Sequence, residues 1–270
     1  MPITDHAVAI AAAEAGAAVV RARYGSPLTR FMKIGNDFAT TVDIEAEEAI
    51  LGVLREARPN DVVVGEESGR TGTGDNGRTW LVDPLCGTLN YAARTTLVAV
   101  NVALLTGTGC AVAASADPFS GEVFWTDGGA AYVRLAGTDE RLVPSAESRL
   151  VDVNLDPPFP SRDVFLAARM LADEDFIERF HPRVVSTSLA VAWVAAGRRA
   201  AYLTDRHDLS RSVHFAAGVA LCQAAGCVVT ALDGEPLHAG GNGLVVAADQ
   251  RTHAALLTLV RKQRQTTARP

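Results

Sequence analysis

An α/β fold, with an α+β front lobe joined to an α/β rear lobe, is predicted by three observations. Short apolar runs broken by turn residues crowd positions 98–135, and helix-like and strand-like segments alternate beyond residue 150. Between them, residues 141–162 are Pro-rich, which sets the lobes at 1–145 and 146–270. With 270 residues, 48% of them hydrophobic, the chain has enough apolar surface for a large core.

The first helix is predicted over residues 4–24, an Ala-rich stretch. It carries Asp5, His6 and Glu14 and lacks a basic start before an uninterrupted apolar run, so it does not read as a signal peptide. A second helix should begin near Asp43 as its N-cap, with Glu45, Glu47 and Glu48 favouring the positive end of the helix dipole. Ile44, Leu51 and Leu54 supply its apolar stripe. Residues 61–65 read as a strand running into Glu66-Glu67-Ser68, and residues 69–78 as a polar loop. That loop holds Gly72-Thr73-Gly74-Asp75-Asn76-Gly77, a dinucleotide fingerprint in letters only. The segment after it, 79–83, is a strand, and the fingerprint needs a helix N-terminus there to meet a pyrophosphate.

Strands are predicted next at 98–105, 111–117, 121–126 and 130–135; the turn Asp117-Pro118-Phe119-Ser120-Gly121 makes them an antiparallel meander. The rear lobe should carry strands at 150–155, 183–186, 200–203, 227–231 and 243–247. Its helices fall at 163–172, 187–196, 212–225 and 250–264.

A formal net charge of −6 argues against general binding to nucleic acid or to acidic membranes, which need clustered cations. The one basic run, Arg261-Lys262-Gln263-Arg264, reads as a complement to a helix C-terminus. No stretch is long and apolar enough to span a membrane. Four cysteines without CxxC spacing, Cys86, Cys110, Cys222 and Cys227, point to reduced thiols and a cytoplasmic location. The last three read as small core hydrophobes, and Asp37, Glu48 and Glu67 as solvated or helix-start charges.

The chemistry concentrates in Trp80-Leu81-Val82-Asp83-Pro84-Leu85-Cys86-Gly87-Thr88-Leu89-Asn90-Tyr91. A carboxylate at a strand end, then Pro, Gly and Thr, places carboxylate, carbonyl and hydroxyl oxygens around one point, as a hard metal ion bound to phosphate requires. Cys86 is the soft donor in that turn. Three other segments stand at element ends: Asp37-Phe38-Ala39-Thr40-Thr41-Val42-Asp43, Gly65-Glu66-Glu67-Ser68, and Val213-His214-Phe215-Ala216-Ala217-Gly218.

In this order and spacing, the segments resemble the inositol monophosphatase family of metal-dependent, lithium-sensitive phosphatases. The family pattern is Asp-Leu-Val-Thr-x-x-Asp, Gly-Glu-Glu, Asp-Pro-Ile-Asp-Gly-Thr-x-Asn-Phe and Trp-Asp-x-Ala-Ala-Gly. The resemblance implies a layered αβαβα sandwich, often dimeric, acting on a small phosphorylated or polyhydroxylated ligand. It implies that Glu66, Asp83 and the Leu85 carbonyl hold Mg²⁺, and that Thr88 and Asp43 position or deprotonate the attacking water. It further implies that the Gly87 and Thr88 amides hold phosphate, and that Asp205, Arg206 and His207 lie where relatives contact substrate.

The chain departs from the pattern where the family's second metal rests on two more aspartates. Here those positions are Cys86 and His214, neither of which Mg²⁺ prefers, so the expectation is Zn²⁺ or no ion there. Asp205 and Asp208 are candidates to replace a lost carboxylate, and the usual Glu-Ala-Gly-Gly has become Ala224-Ala225-Gly226-Cys227. Three readings stay open. The first is a divergent phosphomonoesterase for a small sugar or cyclitol phosphate, with one Mg²⁺ or an altered metal site. The second is an enzyme rebuilt around a Cys86 thiolate and His214 base. The third is a pseudo-phosphatase that binds ligand without hydrolysis, against which the retention of Asp43, Glu66, Asp83 and Thr88 argues.

Overall fold

The computed structural model describes residues 3–33, 37–74, 76–107, 109–155, 166–205, 209 and 211–267. In chain order the front half runs α1 (Asp5–Arg23), β1 (Arg30–Met32), β2 (Phe38–Thr40), α2 (Thr41–Ala57), β3 (Val62–Gly65), β4 (Gly69–Thr71) and β5 (Thr79–Cys86). It continues with α3 (Thr88–Ala92), β6 (Ala99–Thr106), β7 (Gly109–Ala116), β8 (Val123–Thr126), β9 (Ala131–Leu135) and β10 (Thr138–Arg141). The rear half runs β11 (Leu150–Val153), α4 (Leu166–Met170), α5 (Glu174–Arg179), β12 (His181–Val184), α6 (Leu189–Ala195) and β13 (Ala201–Thr204). It ends with α7 (Ala216–Ala225), β14 (Val228–Thr230), β15 (Leu244–Ala247) and α8 (Gln250–Thr267).

Two large sheets result, an eight-stranded one in the order β10-β9-β8-β7-β6-β5-β3-β4 and a five-stranded one in the order β12-β11-β13-β15-β14. The run from β6 to β9 is the antiparallel meander the turn residues predict, β5 and β10 extend it at its two ends, and β3 pairs with β5 in parallel. The central strands of both sheets are buried on both faces, and strand alternation assigns the residues. Trp80 and Val82 pack with Ile10 and Ile50 under α1 and α2, while Leu81 between them meets Ala216, Ala217 and Ala220 of α7. In the second sheet Tyr202 and Val246 face α6 and α7, while Leu203 and Val245 face α4 and α8. The layers are therefore α1/α2, sheet, α6/α7, sheet, α4/α8, the αβαβα sandwich expected. Gly16 lets α1 and α2 close on each other, since a Cβ there would lie 2.8 Å from Ile50 Cδ1.

Several elements differ from their predicted forms. Thr40, not Asp43, caps α2; Asp43 sits three residues in and completes a capping box by accepting from the Thr40 backbone N–H at 2.8 Å. The polar loop after Ser68 contains β4, paired antiparallel to β3. The helix expected from residue 212 begins at Ala216, which leaves His214 in the preceding turn. The exposed edge strand β10 was hidden by its polar residues, a composition edge strands use to stay unpaired. In the basic run near the C-terminus, Arg264 lies in the last turn of α8, while Lys262 bonds Asp173 and Asp175, tying α8 to α5. Among the described residues, no helix is long and apolar enough to cross a membrane.

Candidate metal and phosphate site

Five pieces of chain converge at the end of β5. The turn after β3 brings Glu66 and Glu67, and Gly65 before them has no side chain because a Cβ there would lie 2.6 Å from the Glu47 carboxylate. Glu47, a buried residue of α2, accepts from the backbone N–H groups of Glu67 and Ser68 at 2.9 and 2.7 Å. It therefore anchors the Glu66 turn and is not a helix-start charge in water. Gly65→Ala should displace Glu47 and loosen both charge-assisted bonds, each worth about 1.5–3 kcal/mol. A lowered melting temperature together with reduced turnover is the expected result, and wild-type behaviour in both would rule out this anchoring role.

Strand β5 carries Asp83, whose side chain is fully buried and whose Oδ1 accepts from the Leu85 backbone N–H at 3.1 Å. The pairing of β5 with β6 slips between Asp83 and Cys86, which lifts Pro84 and Leu85 out of the ladder. Gly87 then takes a left-handed conformation, φ 102°, that opens α3 at Thr88; a Cβ there would also lie 2.9 Å from the Leu97 carbonyl. The Thr88 hydroxyl donates to Asp43 Oδ1 at 2.8 Å and lies 3.1 Å from the Leu85 carbonyl oxygen. Asp43 Oδ2 accepts from the Thr40 hydroxyl at 2.5 Å. Burial raises the Asp43 carboxyl pKa against these hydrogen bonds, which makes it a competent proton acceptor.

His214 reaches Asp83 from the turn before α7, with Nδ1 2.8 Å from Asp83 Oδ2 and 3.9 Å from Glu66 Oε2. Burial opposes the imidazolium, but Asp83 outweighs it and holds His214 well above the ordinary histidine pKa. Asp83 is correspondingly lowered, the His214 charge overcoming burial. Glu66 is pushed up to about 8 by burial and by the Asp83 charge, against His214 and Lys33. Lys33 closes the cluster, donating to Glu66 at 2.8 Å and to Glu67 at 2.7 Å. Burial works against its charge, yet the two glutamates raise its pKa. Glu67 is thus paired, not solvated.

Glu66, Asp83, Cys86, Thr88, Asp43 and His214 are therefore brought to one place, together with the Leu85 carbonyl. Asp205 is buried, and its Oδ2 accepts from the Ala167 backbone N–H at 3.4 Å. Arg206, His207 and Asp208 lie outside the described residues. Sequence reasoning gave no role to Lys33, which sits in a loop without periodicity, and it gave Glu47 only a part in complementing the helix dipole. The Gly before Glu-Glu was the available signal, a glycine where backbone and a buried carboxylate approach closely.

The oxygen donors of Glu66, Asp83 and Leu85 fit Mg²⁺, which binds through carboxylate and carbonyl oxygens. The trio Asp83, Cys86 and His214 does not, because thiol sulfur and imidazole nitrogen are soft or borderline donors. The Cys86 thiol pKa is raised by burial and by Asp83, against a hydrogen bond from His214. That is opposite to the depression a free thiolate nucleophile requires.

Paired carboxylates beside a hydroxyl–carboxylate contact, at the end of β5 in an αβαβα sandwich, are the candidate site of a phosphatase-like protein. Residues 2–265 match the model of the inositol monophosphatase family. The sequence is 31% identical over 235 residues to the inositol-1-monophosphatase of Caulobacter vibrioides, covering 83% of this chain and 88% of that protein. It is 30% identical over 267 residues to Nus factor SuhB of Salmonella typhimurium, covering 95% of each. The fold matches the crystal structure of the extragenic suppressor protein SuhB from Bartonella henselae with a TM-score of 0.83 and 24% identity, over 94% of this chain and 97% of that one. The chain belongs to the inositol monophosphatase family.

Proposed function

We propose that the chain is a phosphomonoesterase acting on a small sugar or cyclitol phosphate, with one Mg²⁺ held by Glu66, Asp83 and the Leu85 carbonyl. The observation that carries this reading is the Thr88 hydroxyl donating to buried Asp43 beside the Glu66/Asp83 pair. Bound there, Mg²⁺ supplies Lewis-acid polarisation of a phosphate oxygen and acidifies a water molecule. With its proton committed to Asp43, the Thr88 oxygen would have lone pairs free to accept a proton from an attacking water and pass its own to Asp43. The backbone amides of Gly87 and Thr88 receive the phosphate, and the left-handed Gly87 sets their direction. Two cationic side chains, Lys33 and His214, offset the clustered carboxylates before metal and substrate arrive.

Purified protein is expected to release inorganic phosphate from sugar and cyclitol monophosphates in a Mg²⁺-dependent manner. A broad phosphomonoester panel giving no phosphate with Mg²⁺, Mn²⁺ or Zn²⁺ would end the hydrolase reading. Thermal shifts by the same compounds without turnover would favour the ligand-binding alternative instead.

A further inference from the structure

We propose that Asp83, Cys86 and His214 form a binding site for a borderline-soft divalent cation, with Zn²⁺ the ion of best fit. One donor atom from each residue lies within 4.8 Å of the others, and among the described residues this is the one group of three or more metal-ligating side chains so arranged. Oxygen, sulfur and nitrogen donors at this spacing suit Zn²⁺, which takes carboxylate, thiolate and imidazole in tetrahedral geometry. Three protein ligands leave one position open, the arrangement of reactive rather than purely structural zinc sites.

The surroundings are built to hold the sulfur. The Ser188 backbone N–H donates to Cys86 Sγ at 3.3 Å. The Ser188 hydroxyl is bonded by Asn101 Nδ2 at 2.7 Å, and Asn101 Oδ1 accepts from the Ser115 hydroxyl at 2.8 Å. Ser115, Asn101 and Ser188 are each at most 1% exposed. A polar chain through an otherwise apolar interior is costly unless every member is satisfied. This one is, and it fixes the amide that faces the sulfur. Outer partners of this kind orient metal ligands. Asp83 and His214 are held in turn by their mutual contact at 2.8 Å. On binding, Zn²⁺ takes the place of the thiol proton on Cys86 and of the imidazolium proton on His214; both protons pass to solvent, and nothing is oxidised or reduced.

Asp83 is shared with the proposed Mg²⁺ position, but cation binding here does not depend on phosphatase turnover. The test is a Co²⁺ titration of the full chain after treatment with a chelator. The wild type is expected to develop a thiolate-to-Co²⁺ charge-transfer band in the near ultraviolet, bleached by Zn²⁺ and not by excess Mg²⁺. Cys86→Ser should lose that band, and His214→Asn should weaken Co²⁺ binding by more than the roughly 10–100-fold typical of losing an outer partner. Absence of the band in wild type, or its persistence in Cys86→Ser, would overturn the proposal. Should the variants fail to fold, wild type suffices. Zn²⁺ but not Mg²⁺ must protect the Cys86 peptide from alkylation, and equal labelling with and without Zn²⁺ defeats the site. Co²⁺ capture without phosphate release would uphold this site while removing the hydrolase reading; Mg²⁺-driven turnover without the band would do the reverse.

Discussion

Thr88→Ala is expected to lower the rate of phosphate release by roughly 10²–10⁴-fold, the usual contribution of positioned proton transfer. The hydroxyl it removes is the one group that joins the Leu85 carbonyl to the Asp43 carboxylate. Because the loss falls on the chemical step, kcat should drop with little change in KM. The fold should tolerate the change. Asp43 keeps its two bonds from Thr40, so the lost charge-assisted bond costs about 1.5–3 kcal/mol at most. Thr88→Ser restores the hydroxyl and should recover most of the rate. If Thr88→Ala worked within a few-fold of wild type, the relay would have to be abandoned.

Asp43→Asn separates two duties of one residue. Asparagine is a poor proton acceptor, so the rate should fall about as far as in Thr88→Ala. The capping box at Thr40 also weakens, at a further cost of roughly 1 kcal/mol. Since the two residues act as a unit, the double variant should be no slower than the slower single one.

How much of this was legible in the sequence depends on what each residue needed from afar. The layers were readable because the central strands of both sheets are covered and apolar, and the meander because its turns carry Asp, Pro and Gly. The site segments were readable because each sits at the end of a strand or start of a helix with Gly or Pro beside it. Lys33 was not, because its partners Glu66 and Glu67 lie 33 and 34 residues away and no local pattern marks the pairing. The anchoring role of Glu47 was hidden for a related reason. It lies in the acidic first half of α2, and only the fold shows it turned inward to the amides of Glu67 and Ser68. The chain Ser115–Asn101–Ser188 is spread over three elements and looks like ordinary polar content until the sheet and α6 close on Cys86.

His214→Asp should make stability depend on Mg²⁺ far more than it does in wild type. In wild type the imidazolium faces the fully buried Asp83 at 2.8 Å and lies 3.9 Å from Glu66. The substitution removes that partner and adds a third carboxylate beside Glu66, which burial and the Asp83 charge already push up to about 8. Breaking a buried pair in this way costs about 3–5 kcal/mol. At about 2–4 °C per kcal/mol for a chain of this size, the melting temperature in chelator should fall by roughly 6–20 °C. Mg²⁺ at a hundredfold excess over its dissociation constant returns about 2.7 kcal/mol by binding the folded state alone, so about half or more of the loss should be recovered. Wild type should shift less, because its histidine already supplies positive charge to the same carboxylates. Adding Cys86→Asp makes every donor a hard oxygen, so the dependence should deepen while the Co²⁺–thiolate band disappears. A His214→Asp variant that melts at one temperature with and without Mg²⁺ would show that these carboxylates do not share a cation. The histidine would then be packing against Asp83 without setting the charge of the site.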